Sequence, residues 1–506
     1  MKGSLVIRAD ASIQIGTGHL MRCLALAQAW QLDGGQVVFL SHCESDALRQ
    51  RIINEGIEFI PISNPHPDSR DLENTLEVLR MHSAGIIGNP AWLVLDGYHF
   101  DPAYQQAVRD AGFHLLVIDD MAHLPVYHAD ILLNQNLGAE KLKYNCDSDT
   151  TLLLGSRYVL LRQEFLTWSG WKREIQKVAR KVLVTMGGSD PGNMTLKVIH
   201  ALEQVQVDGL EVVVAVGGSN PHYEVLQSAI RNLQLKIHLE RNASNLPELL
   251  AWADVSVTAA GSTCWELAFM GVPALVLVWA ENQCMVASGL ETAGISINLG
   301  WYANVTPEDI ALRLLELVNS PKIRGEIAKR GRNLVDGNGA SRVIQWIQAR
   351  ALNLRAAQEA DCLMIYEWAN DKVTRTFSFS TDPIPWEDHQ TWYKSKLADP
   401  NILIYIALDL ELSPVGMVRY QLAETKAVAS INLASHQRGK GYGSKILRIA
   451  SKKVFQDTPI SLIHAYIKPD NSPSIHAFTK AGFVEKGIVD YQGNQACHFI
   501  LQEDFL

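Results

Sequence analysis

The sequence predicts an α/β protein with two doubly wound lobes, followed by a smaller α+β domain. Over residues 1–170, short apolar runs rich in β-branched residues alternate with polar turns and with segments of helical length. The same alternation returns over residues 171–355, whereas the pattern becomes less regular over residues 356–506. A chain of 506 residues has room for about three such parts, because domains average about 150 residues.

Each predicted strand of the two lobes is followed by a turn and then by a segment of helical length. This pattern is typical of parallel, Rossmann-like sheets. Since open α/β sheets bind ligands beyond the carboxyl ends of their strands, we expect functional residues in the turns that follow them. The predicted strands are 5–9, 37–41, 59–62, 92–95 and 115–118 in the first lobe, and 182–185, 212–216, 237–239, 255–258 and 274–278 in the second.

The last part of the chain has a different pattern. A helical segment at 344–357 ends the second lobe, and the predicted boundary lies near residue 355. The segment 356–506 has the size of one further domain, with a mainly antiparallel sheet. Its predicted strands are 402–408, 415–420, 427–433 and 462–467.

The composition excludes several classes of function. Lys and Arg number 45 against 54 Asp and Glu, and the net charge of -9 argues against a nucleic-acid partner. No apolar run reaches the ~20 residues of a membrane-spanning helix, and the N-terminus lacks a signal-peptide cleavage pattern, so we expect a cytoplasmic protein. The seven scattered cysteines include no Cys-x-x-Cys pair, which predicts reduced thiols and no metal site.

A glycine-containing turn follows the first strand and leads into a helix. Gly16, Thr17 and Gly18 allow the backbone to approach a ligand, and the free N–H groups of the helix start favour a diphosphate. His19 lies in the first helical turn, where the helix dipole keeps the imidazole neutral, the form that a general base requires. The alternative is that His19 is a polar residue at a helix start with no further role.

Two turns of the second lobe have similar chemistry. Gly188 follows the first strand of that lobe, and the turn after its fourth strand contains Gly261, Ser262 and Thr263, which offer N–H groups and hydroxyls to a phosphate. Glu266, one helical turn later, is suited to accept hydrogen bonds from ribose hydroxyls. The alternative is a capping box, in which Thr263 and Glu266 only satisfy the helix start.

Further polar residues follow strands of both lobes. Asp96 and Tyr98 follow the fourth strand of the first lobe, at the same sheet edge as His19. Asn282 follows the fifth strand of the second lobe. Asp96 and Asn282 each have an alternative interpretation as a helix cap.

The motifs at 7–10, 16–23, 96–98, 161–165 and 260–266 occur together, in one order, in a known family. Up to about residue 345 the chain resembles the UDP-sugar hydrolases of pseudaminic acid biosynthesis, which are similar in fold to GT-B glycosyltransferases but transfer the glycosyl group to water. The resemblance implies that His19 activates the water, that Asp96 and Tyr98 lie near the sugar, and that Asn282 closes the site. It implies UDP-sugar contacts for Gly16, Thr17, Gly18, Arg162, Gly188, Gly261, Ser262, Thr263 and Glu266.

A second glycine-rich loop, at 437–443, precedes a helical segment of the last domain. Its consecutive N–H groups are suited to cradle a pyrophosphate, and the alternative is a glycine-rich turn with two solvated cations, Arg438 and Lys440. With the motifs at 471–475 and 481–483, the loop resembles the GNAT N-acetyltransferases over about residues 360–506. The resemblance implies acetyl-CoA as a cosubstrate, held by Leu433, Gln437, Arg438, Gly439, Gly441, Tyr442, Gly443, Asn471 and Ser474.

Within that superfamily, the segment 366–375 with His389 and Trp392 resembles the nucleotide-sugar N-acetyltransferase of the same pathway. The implied reaction moves acetyl from acetyl-CoA to the 4-amino group of a UDP-linked 6-deoxy sugar. Many GNAT enzymes have a tyrosine that protonates the leaving thiolate where this chain has Phe478. That departure leaves open Tyr466, another residue or water as the proton donor, or an acetyltransferase half without activity.

The favoured interpretation is a bifunctional enzyme that acetylates the amine of a UDP-linked sugar and then cleaves UDP from the product. Its expected partners are small molecules, the UDP-linked amino or acetamido sugar and acetyl-CoA. Two alternatives stay open. One is a GT-B glycosyltransferase fused to an acetyltransferase, and the other is a nucleotide-sugar or acetyl-CoA sensor that has lost catalysis.

Overall fold

The computed structural model describes residues 3–83, 91–231, 233–350, 352–409, 412–439 and 441–502. The chain forms two compact units, Met1–Ile344 and Gln345–Leu506. The first unit contains two parallel sheets, and the second contains one mostly antiparallel sheet. Among the helices in these described ranges, none combines the length and the apolar sequence that crossing a membrane requires.

The first lobe of the first unit is built on seven parallel strands. Its strands are β1 (Ser4–Ala9), β2 (Gln36–Ser41), β3 (Glu58–Pro61), β4 (Trp92–Asp96), β5 (His114–Ile118), β6 (Ile131–Asn134) and β7 (Thr151–Leu154). Its helices are α1 (Gly18–Leu32), α2 (Asp46–Asn54), α3 (Ser69–Ser83), α4 (Pro102–Asp110) and α5 (Gln163–Leu166). The strand order β3-β2-β1-β4-β5-β6-β7 brings the ends of β1 and β4 side by side. Both strands are buried along their whole length, as expected of a parallel sheet covered on both faces.

The second lobe repeats this topology with six strands. They are β8 (Lys181–Thr185), β9 (Glu211–Val216), β10 (Lys236–Arg241), β11 (Val255–Ala259), β12 (Ala274–Val278) and β13 (Ile297–Trp301). The helices are α6 (Met194–Leu202), α7 (Tyr223–Ile230), α8 (Leu246–Trp252), α9 (Thr263–Met270), α10 (Glu281–Thr292), α11 (Pro307–Asn319), α12 (Pro321–Leu334) and α13 (Gly339–Arg350). The order β10-β9-β8-β11-β12-β13 places the change of direction between β8 and β11, which is where doubly wound sheets bind ligands.

The second unit has one sheet of seven strands. They are β14 (Asn353–Ala356), β15 (Ile402–Leu408), β16 (Pro414–Ala423), β17 (Lys426–Leu433), β18 (Leu462–Ile467), β19 (Val484–Tyr491) and β20 (Asn494–Gln502). The helices are α14 (Cys362–Asn370), α15 (Lys372–Phe377), α16 (Trp386–Ala398), α17 (Tyr442–Asp457) and α18 (Ser472–Lys480). Helices α17 and α18 contribute to the core that covers one face of the sheet, for example through Ile446 and Phe478 against Ala429 and Ile463. Neighbouring strands are antiparallel except β17 and β18, which run parallel.

The predicted fold class is confirmed, with differences in one helix, in one boundary and in the number of strands. The helix predicted at 344–357 is wrong in its second half, because α13 ends at Arg350 and β14 pairs antiparallel with β15. Hydrogen bonding to a neighbouring strand overrides the local helical pattern there. The first unit ends at Ile344, ahead of the boundary predicted near residue 355. Six strands lie outside the predicted ones, and they are β6, β7, β13, β14, β19 and β20.

Candidate active sites

A cleft of about 1470 Å³ lies between the two lobes of the first unit. It follows the carboxyl ends of both parallel sheets, where the predicted turns lie. Within the described residues, no group of three or more His, Cys, Asp or Glu side chains is arranged to hold a metal ion. Every residue that the sequence predicts for the hydrolase site lines the cleft: Gly16, Thr17, Gly18, His19, Asp96, Tyr98, Arg162, Gly188, Gly261, Ser262, Thr263, Glu266 and Asn282.

His19, near the start of α1, is held from one side of its ring. Its Nδ1 lies 2.6 Å from Oδ1 of Asp96, the last residue of β4. A carboxylate only accepts hydrogen bonds, so this contact places the ring hydrogen on Nδ1 and the lone pair on Nε2. Asp96 does not cap the next helix, since Asp101 caps α4 by accepting from the N–H of Tyr104. These contacts show that Asp96 is not a helix cap and that His19, at the start of its helix, is hydrogen-bonded to a carboxylate.

Arg22, one helical turn after His19, binds two buried carboxylates. It donates from Nε to Oδ2 and from Nη2 to Oδ1 of Asp96, at 2.7 Å each, and from Nη1 to both oxygens of Asp120, at 2.8 and 2.9 Å. Burial opposes ionisation of Asp96, but Arg22 and His19 hold its pKa well below the usual range. Burial also opposes ionisation of Asp120, and Arg22 again lowers the pKa. Both carboxylates therefore stay ionised in the wall of the cleft.

Tyr98 connects this network to the opposite lobe. Its hydroxyl donates to Oδ2 of Asp120 at 2.6 Å and accepts from Nδ2 of Asn282 at 3.0 Å. Burial and the negative charge of Asp120 raise the pKa of Tyr98, so the phenol keeps its proton. Its ring meets the His19 ring edge-on, with the centroids 5.0 Å apart. Asn282 is the second residue of α10, whose N-cap is Ala280, so the capping interpretation of Asn282 is wrong.

Glu266 projects from α9 towards the first lobe. The N-cap of α9 is Ser262, which makes no side-chain capping bond within the described residues, so the capping box predicted as an alternative does not form. Instead, Oε1 of Glu266 accepts from Nη2 of Arg162 at 2.8 Å. Burial raises the pKa of Glu266, and Arg162 opposes that shift. Arg162 also lies 2.9 Å from Glu164, so it bridges two carboxylates.

The glycine-containing turns of the two lobes approach each other across the cleft. A Cβ atom placed on Gly188 would overlap the side chain of Thr17. A Cβ atom on Gly217, in the turn after β9, would overlap the backbone of Gly188. A Cβ atom on Gly18 would lie 3.8 Å from the Ser262 hydroxyl, which is an ordinary contact. Gly188 is therefore a point where the approach of the lobes requires a residue without a side chain.

In the second unit, the parallel strands β17 and β18 separate. They pair only over residues 426–428 and 462–464, although β17 continues to Leu433 and β18 to Ile467. The separation opens a slot between two strand edges. Beyond Leu433 the chain turns through Gly439, with a φ of +77°, and Gly441, with a φ of +81°, into α17. Glycines at these two positions allow the left-handed backbone that precedes the helix.

Arg438 and Asn471, both predicted to bind acetyl-CoA, make contacts within the protein. Arg438 donates to Asp371 at 2.6 Å and to Thr374 at 2.8 Å, so the interpretation of Arg438 as a solvated cation is wrong. Lys440 lies outside the described residues. Asn471 accepts from the N–H of Ser474 at 3.2 Å and caps α18. These contacts leave the loop backbone, rather than the Arg438 guanidinium, as the part suited to a pyrophosphate.

Phe478 is a core residue of the second unit. It is 3% exposed and contacts Phe483 edge-on, with the ring centroids 4.9 Å apart. A side chain in this position supplies no proton. Tyr466, the alternative donor in the sequence, is half-buried on β18 and stacks against Tyr491 at 4.1 Å.

Sequence reasoning missed three members of the hydrolase network, Arg22, Asp120 and Asn136. Asn136 donates to Oδ1 of Asp120 at 2.7 Å and completes its hydrogen bonding. Two signals were present in the sequence. Arg22 lies three residues after His19, on the same helix face, and Asp120 follows the end of β5 at the same sheet edge as Asp96.

Comparisons with known proteins agree with this division. A model of the glycosyltransferase family 28 C-terminal domain matches residues 182–336, and a model of the acetyltransferase (GNAT) domain matches residues 351–484. The first match lies in the second lobe and the other in the second unit. The UDP-2,4-diacetamido-2,4,6-trideoxy-beta-L-altropyranose hydrolase of Campylobacter jejuni is 24% identical over 298 residues, which are 58% of this chain and 98% of that protein.

Two other relatives extend the comparison. The uncharacterized protein MJ1062 of Methanocaldococcus jannaschii is 22% identical over 499 residues, or 95% of this chain and 96% of that protein. A crystal structure of an aminoglycoside acetyltransferase with coenzyme A is 24% identical and covers 30% of this chain and 95% of that one, with a TM-score of 0.28. The two resemblances predicted from the motifs are confirmed, and with them the prediction of an enzyme that has a UDP-sugar hydrolase part and an acetyltransferase domain.

Proposed function

We propose that the first unit hydrolyses UDP-2,4-diacetamido-2,4,6-trideoxy-L-altrose to UDP and the free sugar, with His19 as the general base. The observation that carries the proposal is the 2.6 Å contact between Nδ1 of His19 and Asp96. It leaves Nε2 to accept a proton in a ring that lines the cleft. The name of the Campylobacter relative supplies the substrate.

In the proposed reaction a water molecule attacks the anomeric carbon. The new bond to the water oxygen forms as the bond from the anomeric carbon to the UDP oxygen breaks, and one water proton moves to Nε2 of His19. Asp96 stabilises the imidazolium that results, because its carboxylate remains ionised. A positioned general base contributes typically ~10²- to 10⁴-fold to the rate.

The departing UDP is proposed to lie against the second lobe. Backbone N–H groups at the start of α9, with Gly261, Ser262 and Thr263, face the cleft and are suited to a diphosphate. Glu266 is proposed to bind the uridine ribose, with its carboxylate oriented by Arg162. The bond between Tyr98 and Asn282 is proposed to close the two lobes around the sugar.

The GNAT domain is proposed to act one step earlier. It transfers acetyl from acetyl-CoA to the 4-amino group of UDP-4-amino-4,6-dideoxy-N-acetyl-L-altrosamine. The extended, amide-containing arm of the cosubstrate is proposed to lie between β17 and β18, where the two strand edges no longer pair with each other and offer N–H and C=O groups. The start of α17 offers N–H groups to the pyrophosphate of the cosubstrate.

The test uses the full chain with UDP-4-amino-4,6-dideoxy-N-acetyl-L-altrosamine and acetyl-CoA, and follows CoA, UDP and free sugar by mass spectrometry. We expect all three products from the wild type, and His19→Asn to lose UDP release while it keeps CoA release. His128→Asn is the matched control, because this histidine also binds an aspartate, Asp147 at 2.9 Å, and lies outside the cleft lining.

Three outcomes would contradict the proposal. Absence of both acetylation and UDP release with every 2-acetamido-4-amino-4,6-dideoxy substrate would exclude the bifunctional enzyme. UDP release that requires an added acceptor would identify a transferase. Equal loss of CoA release and UDP release in His19→Asn would show that the two activities do not belong to separate sites.

A further inference from the structure

Four parallel rings form a row on the sheet of the second unit. His464 and Tyr466 lie on β18, His498 on β20 and Tyr491 at the end of β19. The centroids of His498 lie 5.1 Å from His464 and 5.0 Å from Tyr466, and Tyr466 lies 4.1 Å from Tyr491. The planes of these pairs agree within 10°. All four side chains are half-buried, so the row is ordered by packing and still accessible.

The row lies on the face of the sheet opposite α17 and α18. Ile463, Ala465 and Ile467 of β18 belong to the core beneath those helices, so the alternate residues His464 and Tyr466 project to the other face. His464 is the last residue of β18 that pairs with β17. Tyr466, two residues later, therefore stands where the slot opens.

Helix α15 and the segment after it border the same end of the slot. Phe379 contacts the ring of Tyr491 at a centroid distance of 5.5 Å. Lys468, just beyond β18, donates to the backbone oxygen of Thr376 at 3.3 Å. On the β17 side, Thr374 donates to the Oδ1 of Asn432 at 3.3 Å. A thioester carbonyl placed at this end of the slot would thus lie near Tyr466, the ring of the row that borders the slot.

The two histidines of the row share one hydrogen. Nδ1 of His464 lies 2.9 Å from Nε2 of His498, so one nitrogen donates and the other accepts. Burial lowers the pKa of both rings, and Lys426 on β17 adds to the shift for His464, as Lys486 on β19 does for His498. The pair is therefore neutral near pH 7 and able to take up a proton.

We propose that Tyr466 protonates the departing CoA thiolate and that the His464 and His498 pair receives the proton of the attacking amine. The inference rests on the proposed acetyl transfer, and it supplies the proton donor that Phe478 lacks. The amine nitrogen bonds to the carbonyl carbon as the carbon–sulfur bond breaks. One N–H proton passes to the imidazole pair, the sulfur takes the hydroxyl proton of Tyr466, and the pair then returns a proton to the phenolate. The products are an amide and a thiol, with no net change in protons.

The test compares Tyr466→Phe, His498→Gln and wild type in the full chain, with UDP-4-amino-4,6-dideoxy-N-acetyl-L-altrosamine and acetyl-CoA. We expect Tyr466→Phe to lower kcat for CoA release about 100-fold, as loss of a positioned acid does, while calorimetry shows unchanged acetyl-CoA binding. The wild-type kcat should fall as pH drops through the pKa of the histidine pair, below the usual range of a histidine. This decrease in kcat at low pH should disappear in His498→Gln. A decrease caused by titration of the substrate amine would instead affect all variants alike.

Tyr405→Phe is the matched control, because it removes a tyrosine hydroxyl from the same sheet on the face that packs in the core beneath α17. It should keep the wild-type kcat. Wild-type kcat and pH profile in both Tyr466→Phe and His498→Gln would overturn the relay while leaving the acetyltransferase intact. Loss of acetyl-CoA binding in Tyr466→Phe would also overturn it, in favour of a structural role. A wild type that acetylates no amine would instead overturn the proposed function itself.

Discussion

Replacement of Asp96 by Asn tests the general-base geometry without changing the size of the side chain. The wild-type carboxylate accepts from His19 at 2.6 Å and from two nitrogens of Arg22 at 2.7 Å each. An Asn side chain has one oxygen and one NH₂ group. Its oxygen can replace Oδ1, where it still accepts from Nδ1 of His19 and from Nη2 of Arg22, and only Nε of Arg22 then faces the NH₂ group. The ring hydrogen stays on Nδ1, but the neutral amide no longer stabilises the imidazolium that forms when Nε2 accepts a proton from water.

The expected loss is therefore that of a general base. For Asp96→Asn, kcat for UDP release should fall about 10²- to 10⁴-fold. The fold should survive, because Arg22 keeps both bonds to Asp120 and the cost is that of disturbed buried hydrogen bonds, about 1–3 kcal/mol. Because Asp96 acts through His19, the double variant with His19→Asn should be no slower than His19→Asn alone.

The assay measures UDP by chromatography over a range of UDP-sugar concentrations, beside thermal unfolding of each variant. Asp130→Asn is the control, since Asp130 also lies against a histidine, Nδ1 of His114 at 3.3 Å, in the same lobe and outside the cleft lining. It should keep kcat. A kcat for Asp96→Asn within about tenfold of wild type, or losses that multiply in the double variant, would refute the role assigned to the Asp96 and His19 pair.

Three further predictions concern the first unit. Asn282→Ala loses one neutral hydrogen bond to Tyr98 and should lower kcat/KM for UDP release about 3- to 10-fold in steady-state assays, whereas an unchanged value would exclude the proposed closure. Glu266→Gln removes the charge that Arg162 orients and should weaken UDP binding about tenfold by calorimetry; equal affinity would argue against a ribose contact. Asp10 is buried, which opposes its ionisation, but Arg8 and the His42 N–H help to lower its pKa from 3.8 to about 2. Its contribution of about 2 kcal/mol is present above pH 4 and is lost as pH falls through the folded-state pKa, so urea unfolding of Asp10→Asn should differ from wild type at pH 7 and approach it only as the pH falls to about 2. A difference that does not depend on pH would contradict this assignment.

Buried strands of both lobes such as β1, β4, β11 and β12 were predictable because buried parallel strands are continuous apolar runs, whereas β6 and β7, with four residues each, were not predicted. β13 was missed because its five residues are half-buried or exposed and include a glycine, so their pattern is weak. β14 was missed for a different reason. Its four residues follow a helix directly, and their strand conformation depends on hydrogen bonds to β15, some fifty residues later in the chain.

In the candidate hydrolase site, too, the role of a single side chain depends on contacts with residues that are distant in the sequence. His19 was predicted from its place at a helix start after a glycine-containing turn. Asp119 and Asp120 are indistinguishable in sequence, since both follow β5, yet their contacts differ. Asp119 accepts from the N–H groups of the next turn, at Met121 and Ala122, whereas Asp120 binds Arg22 and Tyr98. Only contacts with other elements distinguish Asp119, which stabilises a turn, from Asp120, which binds residues of the candidate site.

In the second unit, the loop at 437–443 was predictable from its glycines, but the ion pair made by Arg438 was not. Sequence neighbours of Arg438 include no carboxylate, and its partner Asp371 lies 67 residues earlier, at the start of α15. The ion pair fixes the segment that borders the slot to the segment that precedes α17. A charged residue in a glycine-rich turn therefore joins two parts of the domain instead of remaining in solvent.

The absence of a side chain at Gly188 has a mechanical consequence. A single methyl group there would meet Thr17, so the two lobes would stop short of their present separation. Gly188 thus allows the smallest separation of the two lobes at this point, and each larger side chain would require a wider separation. The smallest space that the cleft can leave around a bound molecule is in this sense limited by one hydrogen atom in a turn, far along the chain from His19, the proposed general base.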